Sequence, residues 1–377
     1  MTGRIDADRL VRQFMDFVRI DSPTFAVAPF LRALGAVLNG LGLAVSNEGT
    51  GRDGAGNLLS VVPGTDPAAA PILLCMHVDT VEPGRGIRPV LGNGVITSDG
   101  TTILGADNKS AVAASIEAVR YLQANRPAHG DVELLFTWGE ERGLLGSRAF
   151  DASRLRSHIG FSPDGGGPLG TVITRAPYHS SVAAKFLGKA AHAGVEPENG
   201  ISAIVTAGRA VAHMPLGRID AETTANIGRI AGGSARNVVP EQVEIEGEAR
   251  SLDLAKLERQ LAAMRQAMES AARDTGASVE VRFNREYDGF HLREDELPTR
   301  IALAAGRAIG LDPTLSSTGG GSDANNLNGK GIRTVVLGMG AQDVHSTRER
   351  IAIQDLVTMA ELLVAIVLEA GRQARAG

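Results

Sequence analysis

The 377-residue chain has a single cysteine, Cys75, so no disulfide can form within it. That thiol lies in the apolar run Ile72–Met76, which suits a buried structural residue and a reducing compartment. No apolar stretch approaches the roughly 20 residues that a membrane-spanning helix needs. The N-terminal stretch MTGRIDADRLVRQFMDFVRI is charged throughout and lacks the apolar core of a secretory signal, so it reads as a helix. A cytoplasmic protein is the expectation. A net charge of −5 leaves no basic footprint for nucleic acid. The Gly-rich segment STGGGSDANN (317–326) has neither the spacing of a phosphate-binding loop nor the context of a dinucleotide fingerprint, which argues against nucleotide binding.

What is present is a globular composition, 43% hydrophobic and 21% charged, in a chain long enough for two domains. The first 175 or so residues alternate helix and strand patterns. Leu10, Phe14 and Phe17 mark one helical face, Phe30–Leu41 a second helix, and Asn108–Gln123 a third. Between and after them, Leu58–Val62, Ile72–Met76, Val132–Trp138 and Ile159–Ser162 read as buried strands. The middle third follows a β-α-β-β-α-β order from Ser180 to Glu286, that of a small ferredoxin-like unit. A helix at Leu297–Ile309, a strand at Thr334–Leu337 and a closing helix around Leu356, Met359, Leu363 and Ile366 then restore the α/β pattern. The expected organisation is one α/β domain, 1–176 and 290–377, interrupted by a smaller domain at 177–289.

Several acidic residues and histidines fall at predicted strand ends or in the loops that follow. His77 and Asp79 lie two apart, so both project to one face; they suit a metal-binding imidazole with a supporting carboxylate, or a satisfied histidine beside a turn. Asp107 enters a helix, where it is either a ligand or an N-cap. Asp164, before three glycines, is either a ligand or part of an Asp-Gly turn. Glu140 and Glu141 are either a solvated acidic turn or two groups with separate tasks, since neighbours on extended chain point to opposite sides. His345 read alone is a loop histidine. Together they gather at the sheet edge where open α/β folds bind ligands, with the mixed N/O donors that zinc accepts. Two Zn²⁺ ions would be balanced by Asp107, Asp164, one of the glutamates and a bridging hydroxide, which leaves the other glutamate free as a base.

The order and spacing of His77-x-Asp79, Gly105-Ala-Asp107-Asn, Gly139-Glu140-Glu141, Asp164-Gly and His345-x-x-x-Glu349 resemble the co-catalytic dizinc exopeptidases, a family that includes peptidase T, glutamate carboxypeptidase, aminoacylase and succinyl-diaminopimelate desuccinylase. The stretches AAHAGVEPENGISAI, GRIDAETTANIG, GGSARNVVPE and TGGGSDANN are most similar to the peptidase T-like branch. The resemblance spans essentially the whole chain. It implies a zinc-exopeptidase-like mixed sheet flanked by helices, with an inserted ferredoxin-like α+β lid and dimerisation domain.

It further implies two Zn²⁺ per subunit, with Co²⁺ or Mn²⁺ suited to the same donors. His77 and Asp164 would hold one metal, Glu141 and His345 the other, and Asp107 would bridge them. Asp79 would orient His77, and Glu140 would be the general base for a zinc-bound hydroxide. His192 would act in the active site of a partner subunit in a homodimer. Asn237 and Arg250 match lid positions that hold substrate, and Gly321 and Ser322 a substrate-lining loop. Two departures are small: Ser346 stands where threonine is common, and Trp138 precedes the glutamate pair.

The implied reaction is hydrolysis of short peptides. A deacylase or carboxypeptidase acting on N-acyl amino acids would use the same machinery, since substrate choice lies in pocket shape. A non-catalytic metal-binding scaffold is the reading from another class.

Overall fold

In the computed structural model of the chain, residues 4–49, 51 and 55–373 are described, so the first three residues of the charged N-terminal stretch lie outside them. Two compact units are present. One comprises Met1–Thr174, His291–Ser317 and Ser322–Gly377, the other Arg175–Phe290 and Thr318–Gly321.

The apolar runs of the first unit become a mixed sheet. Ile72–His77 pairs in parallel with both Val132–Thr137 and Ile159–Gly165, and Arg333–Gly338 pairs in parallel with Ile159–Gly165. Almost every residue of these four strands is buried, which is why they read as continuous apolar runs without alternation. Antiparallel strands flank them: Asn57–Val62 and then Val45–Glu48 on one side, Thr171–Ala176 on the other. The helices Ala7–Val18, Ala106–Asn125 and Ile353–Gln373 pack on one another around a core that includes Leu10, Phe14, Ile116 and Leu363. Cys75 is fully buried within the central sheet, where burial and the carboxylate of Asp323 push its thiol up and make it a poor nucleophile. Among the described residues, no helix is long and apolar enough to cross a membrane.

The strands Val45–Glu48 and Thr171–Ala176 lie outside the sequence expectation, and so does a further element. Val90–Gly92, Val95–Thr97 and Arg350–Ala352 form a small separate antiparallel sheet. Strands of three residues are too short to show alternation, so no pattern announces them. This sheet brings the chain around Glu349 to the loop that leads into Asp107.

The second unit has the expected β-α-β-β-α-β order. Its antiparallel sheet runs Thr223–Gly232, Gln242–Ser251, Tyr178–Leu187, Ser278–Tyr287, with the two-residue strand Gly217–Arg218 added at one edge. Phe186, Val243, Leu257, Met264 and Met268 lie in its core, between the sheet and the helices Ala203–His213 and Leu254–Thr275.

Candidate metal centre and active site

His77 ends a central strand with its ring fully buried. Its Nδ1 lies 3.0 Å from the main-chain carbonyl oxygen of Asp79. A carbonyl only accepts, so Nδ1 carries a proton and Nε2 is the atom turned to the site. That Nε2 lies 3.0 Å from Asp107 Oδ1 and 3.2 Å from Asp164 Oδ1. On the other side, His345 Nε2 lies 3.2 Å from Glu141 Oε1 and 3.4 Å from Asp107 Oδ2. Asp107 therefore presents one carboxylate oxygen to each histidine.

The alternatives open at the sequence level separate here. Asp107 makes no side-chain cap, since its carboxylate is turned to the histidines. Asp164 lies within the strand Ile159–Gly165 and not in an Asp-Gly turn; its Oδ1 accepts a hydrogen bond from Asn108 Nδ2 at 3.1 Å.

The glutamate pair differs in geometry from the extended chain expected. The strand stops at Thr137, and Glu140–Arg142 is one 3₁₀ turn between Gly139 and Gly143, both in the left-handed region. With three residues per turn, neighbouring side chains diverge by about 120° instead of pointing oppositely. The separation still holds: Glu141 faces His345, whereas the Glu140 carboxyl takes no hydrogen bond from any described residue although it lies close to His77.

Asp79 meets His77 through its main-chain carbonyl more closely than through its side chain. Its carboxylate is 3.6 Å from His77 Nδ1, farther than the main-chain contact that fixes the ring. The carboxylate instead accepts the N–H of Glu140 at 3.0 Å and of Glu141 at 3.3 Å, and the hydroxyl of Thr24 at 2.6 Å. It caps the turn that carries both glutamates.

Three groups of donor atoms from these residues each lie within 4.8 Å: His77 with Asp107 and Asp164, Asp107 with Glu141 and His345, and His77 with Glu140 and Glu141. Their electrostatics fit divalent cations. Burial lifts the Asp164 carboxyl to about 7 against the pull of His77, with Asp107 and Asp323 adding to the rise. Burial likewise raises Glu140, opposed by His77 and reinforced by Asp164, Asp323 and Glu141. Asp107 and Glu141 push His345 up to about 10. At His77 burial opposes the charged ring, but Asp164, Asp107 and Asp79 outweigh it and the ring is raised. Asp164 and Glu140 are forced toward neutrality and both imidazoles toward charge because four carboxyls share the site with two histidines, an excess of acidic groups that two divalent ions would match.

Two braces escaped the sequence reading. Glu349, nearly fully buried, accepts the N–H groups of Leu104 at 2.8 Å and Gly105 at 2.7 Å on Oε2, and of Asp107 at 3.0 Å on Oε1. It fixes the loop that presents Asp107, from a position four residues after His345. The second brace is the helix Asp323–Gly329 with Lys330 after it. Asp323 accepts the Thr137 hydroxyl, Asn326 Nδ2 donates to Ser147 Oγ at 2.9 Å, and Lys330 Nζ donates to the carbonyls of Ser147 and Arg148 at 2.7 Å. Positions 323, 326 and 330 share a face, and that face holds both ends of the glutamate-bearing segment. The stretch TGGGSDANN contains Asp323 and Asn326, but only their distant partners reveal the role.

Residues 178–276 match the Peptidase dimerisation domain of the M20 family, and residues 57–199 match Peptidase family M28. The uncharacterized protein YqjE of Bacillus subtilis is 43% identical over 98% of this chain and 100% of its own. A crystal structure of aminopeptidase PepT from Bacillus cereus is also 43% identical, covering 98% of this chain and 100% of that one with a TM-score of 0.90. The chain belongs to the M20 metallopeptidases, on the peptidase T-like branch. A tripeptidase from Staphylococcus aureus, 36% identical over 98% of this chain and 100% of that one, has a TM-score of 0.94.

The remaining expected positions lie mostly in the dimerisation-type unit. His192 and Asn237 are both exposed and sit on paired segments: the N–H of Ala193 donates to Asn237 O at 3.0 Å, and His192 bridges Val238. Arg250 is already engaged. Its guanidinium forks onto Glu248 at 3.1 and 3.0 Å and reaches Tyr287 Oη and Gly319 O at 3.4 Å. Glu248 in turn lies 3.1 Å from His179 Nε2, and that imidazole and Arg250 pull its carboxyl down to about 2. Gly321 lies against the Tyr287 ring, where a β-carbon would overlap it, so close approach explains this glycine. Ser322, in the other unit, is buried, and its N–H donates to Asn325 Oδ1 at 3.1 Å at the start of a helix.

Proposed function

We propose that this chain is a cytoplasmic dizinc aminopeptidase that releases the N-terminal residue of tripeptides. His77 and Asp164 would hold one zinc ion, Glu141 and His345 the other, with one oxygen of Asp107 toward each. Bound there, the two ions supply Lewis acidity to the carbonyl oxygen and to the attacking water. The observation that carries the reading is the division of labour in the 3₁₀ turn, where Glu141 faces His345 and the neighbouring Glu140 carboxyl is left without a hydrogen-bonding partner among the described residues.

Glu140 takes the proton of the water that adds to the scissile carbonyl and returns it to the amine nitrogen as the C–N bond breaks. Asp79, through the N–H groups of Glu140 and Glu141, keeps the turn oriented for both tasks. His192 of a partner subunit would donate a hydrogen bond to the carbonyl oxygen, with Asn237 beside it, in a homodimer built through the inserted domain. The relatives described as aminopeptidase PepT and as a tripeptidase support the substrate class.

A substrate panel tests it. Zinc-loaded protein should cleave tripeptides well ahead of dipeptides and of N-acetyl or N-succinyl amino acids. Preference for the N-acyl amino acids would refute the aminopeptidase assignment. The action of His192 in trans has its own check: mixed dimers of Glu140→Ala and His192→Ala subunits hold one intact site and should regain activity that neither variant has alone.

A further inference from the structure

Phe25 combines three unusual features. It is a bulky residue at φ +73°, a region that side chains rarely adopt and that Gly or Asn would occupy at less cost. The residue is 50% exposed, so little burial compensates for that backbone. It is also tied to the catalytic edge: the preceding residue, Thr24, donates its hydroxyl to Asp79 at 2.6 Å and its N–H to Thr80 O at 3.3 Å. A conformation that is unfavourable locally and keeps an aromatic ring half in solvent marks a place where the ring has a task.

The ring stands edge-on to Trp138, with centroids 6.3 Å apart and planes at 60°. Trp138 is buried and lies two residues before Glu140. Phe25 and Trp138 thus form an aromatic wall beside the turn that carries Glu140, and the Phe25 half of that wall is open. With Glu140 serving the scissile carbonyl, the side chain on the same residue as that carbonyl is the natural occupant of a wall joined to Asp79 and to the Glu140 turn. For an aminopeptidase this is the first residue of the peptide.

We propose that Phe25 and Trp138 form the subsite for the side chain of the substrate's first residue, and that they select large apolar side chains there. The inference rests on the aminopeptidase reading above and adds the class of peptide preferred. An aromatic wall discriminates by the apolar area it covers, so leucine should gain over alanine by the worth of its additional carbons.

The test compares kcat/KM for Leu-Gly-Gly and Ala-Gly-Gly in the wild type, Phe25→Gly and Phe25→Asn. Both replacements suit a positive φ, so the fold is not strained by them. The expected result is a wild-type preference for the leucine peptide that falls about tenfold in both variants. A preference that stays within twofold overturns the subsite, as does an equal loss on both peptides, the mark of a ring that merely covers Trp138. A side-chain preference seen in Gly-Leu-Gly against Gly-Ala-Gly, and not in the first position, also overturns it.

Trp138 is the only tryptophan, so its emission gives a second readout that needs no turnover. In a Glu140→Ala background, Leu-Gly-Gly should shift that emission more than Ala-Gly-Gly does, and no difference between them counts against the proposal. Failure of the wild type to cleave any of these peptides overturns the aminopeptidase reading and the subsite with it, whereas cleavage without preference removes the subsite alone.

Discussion

Replacing Glu349 with glutamine changes one atom in a residue that touches no donor atom of the metal centre, yet metal affinity should fall. The carboxylate accepts three buried N–H groups, two on Oε2 and one on Oε1. An amide offers an oxygen on one side only. Its better orientation keeps the oxygen toward Leu104 and Gly105, which turns its NH₂ toward the N–H of Asp107. One buried donor then loses its acceptor, at a cost of about 1–3 kcal/mol. Expressed through the position of the Asp107 carboxylate, that cost corresponds to roughly 5- to 150-fold weaker metal binding, within the range of about 10- to 100-fold typical of residues that support ligands. Competition with a zinc chelator measures it directly. Turnover should recover when zinc is raised to saturation, because none of the reacting groups has been altered. A folded Glu349→Gln protein that binds zinc within twofold of the wild type would refute the brace.

Other perturbations probe other parts of the structure. Lys330→Met removes an ammonium that bonds the carbonyls of Ser147, Arg148 and Phe150, and it should lower unfolding free energy by about 1–3 kcal/mol in chemical denaturation. An unchanged midpoint would show that water replaces the lysine freely. In the inserted unit, the Glu248 carboxyl is held at about 2, below its ordinary 4.5. A lowered carboxyl stabilises the folded chain above its ordinary range and loses that contribution as pH falls toward the lowered value. The stability gap between wild type and Glu248→Gln should therefore be full near about pH 6 and close as the pH is taken down through the interval from 4.5 to about 2. A gap that widens on acidification would mean that Arg250 and His179 are not its effective partners.

Five strands of the main sheet, from Asn57–Val62 to Arg333–Gly338, were legible because near-complete burial gives continuous apolar runs between Gly, Pro and Asp, whereas edge strands such as the half-buried Val45–Glu48 and the exposed Thr314–Ser317 were not. The inserted sheet was legible because its long strands and two amphipathic helices follow in a recognisable order. Ligand candidates were legible for a related reason, since strand ends are where the pattern stops and the polar residues begin. What escaped acts over distance or at very short range. Asp323 reaches Thr137 across 186 residues, and Glu349 reaches Leu104 across 245, so neither neighbourhood reveals its partner. Val90–Gly92 and Val95–Thr97 are too short to carry a period. The turn at Glu140–Arg142 was hidden by an adjoining strand pattern, and its shape depends on Gly139, Gly143 and the distant carboxylate of Asp79. The positive φ of Phe25 leaves no trace in composition at all.

The most direct test of the dizinc aminopeptidase account is to measure, on one preparation each of wild type and Glu140→Ala, the zinc bound per chain and kcat on a tripeptide. Both proteins should carry two zinc ions per chain, with kcat in the variant reduced by about 10²- to 10⁴-fold, the usual contribution of a general base. Full turnover by Glu140→Ala with both ions retained would contradict the assignment.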